Sequence, residues 1–326
     1  MDKEKKFEKL NIEKVLKDNF VDLMPTFYEM QSSFLSGVYK RYGDLEGGHI
    51  VIFFARDLHL EILRKRENDL GFNLSLENFW HNHKNTRQEK KKIIYISEQT
   101  GLPKETTRRK LISLVKKKHI KKVEKNKMFW EPSSEFKESY MKIIDEEITS
   151  LSKFIYEQGK FLNLNLSYVK INKEIKNNYC FFWYHYLTFQ LEYIKFWQER
   201  LKDLEMLLIG LQIQIQTVNF LKKKNIQTSF NPLSQQRPPK NLDVKEANIS
   251  ATSISEVTGI PRPTCIRKLE RFVKMKFLEK DKISKRYSMT YGQAEINPLA
   301  PSTEGMRKTI HIFSNFSSVV LKGLCK

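Results

Sequence analysis

Residues 96–111 read Ile96-Ser97-Glu98-Gln99-Thr100-Gly101-Leu102-Pro103-Lys104-Glu105-Thr106-Thr107-Arg108-Arg109-Lys110-Leu111, and residues 254–269 read Ile254-Ser255-Glu256-Val257-Thr258-Gly259-Ile260-Pro261-Arg262-Pro263-Thr264-Cys265-Ile266-Arg267-Lys268-Leu269. Superposed at an offset of 158, the two agree at ten of sixteen positions, which marks an internal duplication. Each copy has the pattern of a short helix, a tight turn and a second helix. In the first, Ile93, Ile96 and Thr100 can share one helical face, and Gly101 supplies the left-handed backbone that ends it. Pro103 has no N–H to lose and fits the start of the next helix. Thr107, Leu111, Leu114 and Val115 then fall at i, i+4, i+7 and i+8, one apolar stripe, repeated as Cys265, Leu269, Phe272 and Val273. The other face carries Lys104, Arg108, Arg109 and Lys110, or Arg262, Arg267, Lys268 and Arg271. A basic face backed by an apolar stripe, after a four-residue turn, is what a DNA-reading helix-turn-helix requires.

The stretch Thr-Gly-Leu/Ile-Pro-Lys/Arg-x-Thr-x-x-Arg-Lys-Leu resembles the helix-turn-helix of bacterial winged-helix transcriptional regulators, the broad MarR, GntR and ArsR-like group. Lys118 to Val123 and Lys276 to Lys280 resemble the strand after the recognition helix; Lys125-Asn126-Lys127 and Lys282 to Tyr287 resemble wings. The resemblance covers roughly residues 87–132 and 247–300, under a third of the chain. One departure is the proline at each helix start, where the family usually carries Ser or Thr. The implied fold class is mainly α with small β wings, as tandem winged helix-turn-helix domains joined by long helices.

Charge points the same way. In 326 residues there are 58 Lys+Arg against 38 Asp+Glu, a net charge of +20, which calls for an anionic partner, nucleic acid first. Residues 87–127 hold 15 Lys+Arg and 4 Asp+Glu (+11), and residues 262–286 hold 10 and 3 (+7), so the excess sits on the two motifs. A lysine-rich solvated surface is the plainer reading, but it does not explain that concentration. Three cysteines without a Cys-x-x-Cys pair form no disulfide framework, and Met1 to Lys6 lacks an apolar core, so a reduced, cytoplasmic protein is expected.

Around the motifs, residues 1–86 read as an N-terminal helical segment. A charged amphipathic helix spans residues 1–24, with Phe7, Leu10, Val15 and Leu16 as burial candidates. A helix from Pro25 to about Tyr42 and another from His49 to about Leu70 follow. Gly47-Gly48 reads as a turn between antiparallel helices, because no phosphate-loop pattern surrounds it. Residues 71–92 read as a polar connection into the first winged helix-turn-helix, 87–132. Residues 133–224 form a helical linking region, 225–246 a Pro/Ser/Gln/Asn-rich flexible linker, 247–300 the second winged unit and 301–326 a C-terminal helix. Helices following both wings make the repeat unit a winged helix plus a trailing helix, two of which could pack together within one chain as subunits do in a dimer. Phe181 to Lys224 is a long aromatic-rich helical stretch. Glu192, Lys195, Glu199, Arg200 and Lys202 recur too often there for a membrane span, so no membrane partner is expected. Its aromatics read first as core and second as a pocket for a small-molecule effector or a stacking surface for bases.

No nucleophile elbow, phosphate loop or apolar carboxylate pair is visible. His81-x-His83 after Glu77 lacks further ligands at metal spacing, so neither enzyme activity, metal nor cofactor is expected. The expected function is sequence-specific binding of double-stranded DNA as a transcriptional regulator. Lys104, Arg108, Arg262 and Arg267 are candidates for base edges, and Thr106 and Thr264 for phosphate. Glu105, Arg109, Lys110, Ile266, Lys268 and Arg271 complete the helix surfaces, with Arg109 or Arg271 equally able to hold the domain together through an acidic partner. Lys121, Lys122, Lys125 and Lys127, with Lys285 and Arg286, should hold backbone phosphates from the wings. His119 suits a phosphate contact or a helix cap. Because Lys104-Glu105 faces Arg262-Pro263 in the repeat, the two helices read unlike half-sites. A plasmid- or phage-type replication initiator and a helical protein-interaction module are the alternatives. The chain would act as a monomer with internal pseudo-two-fold symmetry or as a homodimer.

Overall fold

The computed structural model of the chain describes residues 7–124, 127–225, 244–290 and 304–325. It is mainly helical, with two small antiparallel sheets. The first half opens with α1 (Lys9–Asp18), α2 (Phe20–Tyr42), α3 (Leu45–Asn68) and α4 (Leu76–Lys84). Strand β1 (Lys91–Lys92), α5 (Ile93–Thr100), α6 (Lys104–Lys116), β2 (Ile120–Glu124), β3 (Lys127–Trp130) and the long α7 (Lys137–Phe161) complete it. The second half runs α8 (Tyr168–Asn177), α9 (Tyr179–Leu201), α10 (Leu204–Lys223), α11 (Ala251–Thr258), α12 (Arg262–Lys274), β4 (Leu278–Lys280), β5 (Tyr287–Met289) and α13 (Glu304–Leu324).

The repeat is longer than the expected winged helix plus trailing helix. Lys9 and Tyr168, Phe20 and Tyr179, Leu45 and Leu204 open equivalent helices, each pair 159 residues apart. Their boundaries coincide because the same local devices set them. Asn19 and Asn178 break the first helix with nearly equal angles (φ −113°, ψ 36° and φ −112°, ψ 38°). Gly43 and Lys202 turn left-handed at φ 80° and 55°. Asp44 and Asp203 then cap the third helix, their carboxylates accepting from the N–H of Gly47 and from those of Glu205 and Met206. Among the described residues α4 has no counterpart in the second half.

The halves pack reciprocally. Helix α2 lies against α10 and α9 against α3, while α13 covers α1 and α7 covers α8. Gln31 and Gln190, equivalent residues and both fully buried, bond to each other, Nε2 of Gln190 donating to Oε1 of Gln31 at 2.9 Å. A residue touching its own counterpart lies on the axis relating two halves. Aromatic pairs repeat around it: Phe34 meets Tyr186 edge to face at 5.3 Å, and the equivalent pair Tyr193 and Phe27 does so at 6.4 Å. Phe27, Phe154, Phe189, Phe313 and Phe316 are among the apolar side chains whose non-directional burial stabilises this shared core.

Several expectations are corrected. Gly47-Gly48 is inside α3, and the turn is Gly43-Asp44. A Cβ on Gly48 would stand 2.0 Å from Cγ1 of Val38, so glycine there is what lets α3 pass close to α2. The polar connection 71–92 contains α4, capped by Ser75 and burying Phe79, Trp80 and His83. Leu10 is 76 % exposed, and Ile12 is the residue of α1 that is wholly buried beside Leu16. The stretch Phe181 to Lys224 is two helices, broken at Lys202-Asp203. Its rings are mostly core: Phe182, Trp183, Tyr186, Phe189 and Tyr193 are buried. The hollow beside Tyr193 and Trp197 has a volume of about 50 Å³, well below the ~150 Å³ that holds a benzene ring. Helix α10 is long and apolar enough to cross a membrane by length and composition, yet most of it is buried against α2 and the second half's helices. The flexible-linker reading falls largely on residues 226–243, outside the described residues.

Candidate nucleic-acid interface

The duplicated motif folds the same way twice, bond for bond. Thr100 and Thr258 return their hydroxyls to the carbonyls of Ile96 and Ile254, both at 2.7 Å. Gly101 and Gly259 turn left-handed at φ 69° and 77°, where a side chain would be strained. Ser97 and Ser255 then donate across the turn to the carbonyls of Leu102 (2.6 Å) and Ile260 (2.7 Å). Pro103 and Pro261 occupy the extended cap position one residue before the helix, and their carbonyls accept from Thr107 N–H (2.8 Å) and Cys265 N–H (3.0 Å). Thr107, Leu111 and Leu114, and Cys265, Leu269 and Phe272, are buried as the stripe predicted.

A hairpin follows each long helix. In the first, the order is β1-β3-β2, all antiparallel, with an irregularity between Lys122 and Glu124. In the second, β4 pairs with β5, and Ile249 forms a bridge with Tyr287 where β1 pairs in the first. Lys118 and Lys276 take the left-handed conformation that swings the chain from helix to strand.

The basic face divides into two kinds of residue. Lys110 and Lys268 point inward, a correction to their expected place on the outer face. Lys110 bonds Asp44 (2.8 Å) and Glu46 (3.0 Å), and Lys268, only 5 % exposed, bonds Asp203 (2.5 Å) and Glu205 (2.9 Å). The same Asp-Leu-Glu that starts α3 and α10 therefore clamps the second motif helix, α6 or α12, of its own half. Burial pulls the Lys110 ammonium down, but Asp44 and Glu46 outweigh it and hold its pKa above the ordinary value. Arg271 also leans inward, donating to the carbonyl of Leu201 at 3.3 Å with Asp203 at 3.6 Å. Asp203 is thus an acidic partner for Arg271, whose side chain stays 47 % exposed.

The outward residues differ between copies. Lys104, Arg108 and Arg109 are exposed on α6, and Arg262 and Arg267 on α12, while Thr106, Thr264 and Ile266 are half-buried. Arg108 is held along the helix by Glu105 at 2.7 Å, and that hydrogen bond keeps the Glu105 carboxyl below its usual range. Pro263 and Ile266 replace this pair in the second copy. Arg262 reaches back to the hydroxyl of Thr252 at 3.0 Å. Within the sixteen-residue motif, Arg109 and Arg267 are the identical cations exposed in both copies, and they carry no ion pair among the described residues.

On the hairpins, Lys122 is exposed, and Lys121 is exposed with Glu131 at 3.1 Å. Lys285 is exposed, and Arg286 donates to the side chain of Asn248 at 3.1 Å. Lys127 lies on β3, and Lys125 falls outside the described residues. His119 does not face outward: it is buried, stacks on Phe136 at 4.7 Å and lies 3.3 Å from the Tyr140 hydroxyl. Burial, with Lys117 and Arg41 nearby, pushes it down to about 4. His81 and His83 also part company, His83 being buried against the Trp80 carbonyl (2.7 Å) and His81 lying at the surface beside Asn85. Sequence reasoning missed the clamps Asp44, Glu46, Asp203 and Glu205. Their repeated Asp-Leu-Glu, 159 residues apart, was the available signal.

No protein-family model, curated protein or solved structure matches this chain.

Proposed function

We propose that the chain is a double-stranded-DNA-binding protein, a regulator of transcription, whose two motifs are unlike winged helix-turn-helix heads held by one pseudo-symmetric helical body. The observation that carries this reading is the pair Arg109 and Arg267. Each stands free and exposed on the face of its helix opposite the apolar stripe, while the neighbouring lysine is taken inward to fix the helix. In this reading α6 and α12 enter successive major grooves, as recognition helices of paired heads do. Arg109 and Arg267 reach base edges with the fork geometry that suits guanine O6 and N7. Lys122 and the other hairpin cations hold phosphates without choosing sequence. The copies then discriminate differently. Beside Arg267, Pro263 and Ile266 offer an apolar surface suited to a thymine methyl, whereas the first head offers Glu105 and Arg108.

Binding to duplexes at a series of salt concentrations tests it. Contacts to phosphate make the logarithm of affinity fall linearly with the logarithm of salt. Lys122→Ala should weaken all duplexes alike and flatten that line, and Arg109→Ala should reduce discrimination between sequences. Affinity independent of salt, or equal loss of discrimination in both variants, overturns the assignment.

A further inference from the structure

The duplication provides an internal control for cavities, because each position has a counterpart that shows how the same place is filled when it is only packed. A cleft of about 460 Å³ lies between α2 and α7 of the first half and α10 and α11 of the second. Its α2 wall is Ser32, Ser33, Ser36 and Gly37, flanked by Glu29 and Lys40. The equivalent residues of α9, 159 positions on, are Leu191, Glu192, Lys195 and Phe196. There the long side chain of Lys195 lies over the turn at Gly101, with its ammonium 3.4 Å from the carbonyl of Glu98. The first half is thus hollow where the second is filled, and the hollow comes from four small residues in a row of helical turns.

The lining has a definite chemistry. Glu29, Glu146 and Glu147 present carboxyl groups, Lys40 stands exposed at the edge, and Ile143, Ile215 and Val257 give an apolar side. Ser36 lines the cleft and is 6 % exposed, and its hydroxyl has no hydrogen-bond partner among the described residues. A buried hydroxyl left unbonded costs about 1–3 kcal/mol, so a polar group that bonds it recovers that cost. Glu147 is buried and shares Oε1 with Arg41 at 2.7 Å. Glu29 is paired at the surface with Lys153 at 3.3 Å, and no ion pair holds Glu146 among the described residues. On a chain of net charge +20, a roomy concavity whose lining has three carboxyl groups against one lysine is the reverse of the surroundings. Its volume lies in the range of small-molecule sites, roughly 300–1,000 Å³.

We infer that this cleft is a binding site for a small organic cation, with a primary ammonium held by Glu146 and Glu29, a polar group reaching Ser36, and an apolar body against Ile143, Ile215 and Val257. Val257 belongs to α11, the first helix of the second head, so the occupant touches the body and that head at once.

Calorimetric titration of the full chain, without DNA, with phenethylamine and spermidine, tests it; 3-phenylpropanoate, of like shape and opposite charge, is the control. Saturable one-to-one binding of at least one amine is expected, with no binding of the carboxylate. Glu146→Gln, an exposed change, should lower the amine affinity about tenfold or more. Ser36→Lys, which installs the residue of the filled half, should abolish it. Failure of both amines to bind, equal binding of 3-phenylpropanoate, or unchanged affinity in Glu146→Gln overturns the inference. Because DNA is absent, that outcome leaves the DNA-reading proposal standing.

Discussion

Adjacent residues Arg267 and Lys268 should give opposite phenotypes, because one step of about 100° around the helix takes the side chain from the exposed face to the buried one. Lys268 is 5 % exposed and bonds two carboxylates of the preceding helix pair, Asp203 at 2.5 Å and Glu205 at 2.9 Å. Lys268→Met keeps much of the apolar stem and removes the charge, leaving Asp203 and Glu205 facing each other's repulsion. Breaking a fully buried pair costs roughly 3–5 kcal/mol. Here the carboxylates keep about a fifth to a quarter of their exposure (20 % and 26 %), so screening lowers the expected loss to about 2 kcal/mol. Asp203 also caps α10, and that bond survives. Arg267→Ala, by contrast, removes an exposed side chain with no ion pair and should change stability by no more than about 0.5 kcal/mol. On DNA it should cost about 1–3 kcal/mol on the preferred site and relax base choice there. Urea unfolding of the full chain and duplex binding at temperatures where both variants stay folded measure the two effects separately. If Lys268→Met is as stable as the parent, or if Arg267→Ala binds and discriminates normally, the division of the basic face into clamp and reader is wrong.

Two further outcomes follow from the packing. Burial depresses His49 to about 4, His59 to about 3 and His119 to about 4, so the folded chain holds them neutral while the unfolded chain protonates near 6.5. Their stabilisation is full above 6.5 and is lost as pH falls through 6.5 toward 4. Glu147, raised to about 7 by burial against the pull of Arg41, acts oppositely, losing its contribution as pH rises from the ordinary carboxyl range to 7. At about 1.4 kcal/mol per unit the three histidines outweigh it. The urea midpoint should therefore fall between pH 6.5 and 5, and His59→Phe should flatten the fall; a midpoint that rises on acidification contradicts this. Gly48→Ala should destabilise by about 1–3 kcal/mol through overpacking against Val38, although alanine is ordinarily the better helix former by about 1 kcal/mol. A neutral or stabilising result in thermal unfolding would show that α2 and α3 separate without strain.

The two copies of the motif were legible because their constraints are local. A left-handed glycine, a proline before the helix and a 3.6-residue stripe are all written within sixteen residues. The body was legible only as helical. Its repeat survives in burial rather than in identity: Phe27 faces the core where Tyr186 does in the other half, and Phe34 where Tyr193 does. Apolar residues of different shape satisfy the same non-directional requirement, so outside Asp-Leu-Glu identity is left only at scattered positions such as Asn19/Asn178, Arg41/Arg200 and the axial glutamines. Lys110 and Lys268 read as outer-face cations because nothing nearby in the chain reveals carboxylates about 65 residues earlier. Helix α4 went unseen because its nine residues interleave Phe79 and Trp80 with Asn82 and two histidines, too short for a period to show.

The most direct test of the proposed function is selection from a random-sequence duplex pool by the full chain, sequencing the retained fraction at low and at physiological salt. A bipartite motif with two unlike half-sites, still enriched at the higher salt, is the predicted result. Retention at low salt without any motif, or recovery of a perfect palindrome bound by two chains, would contradict the account of two unlike reading heads in one chain.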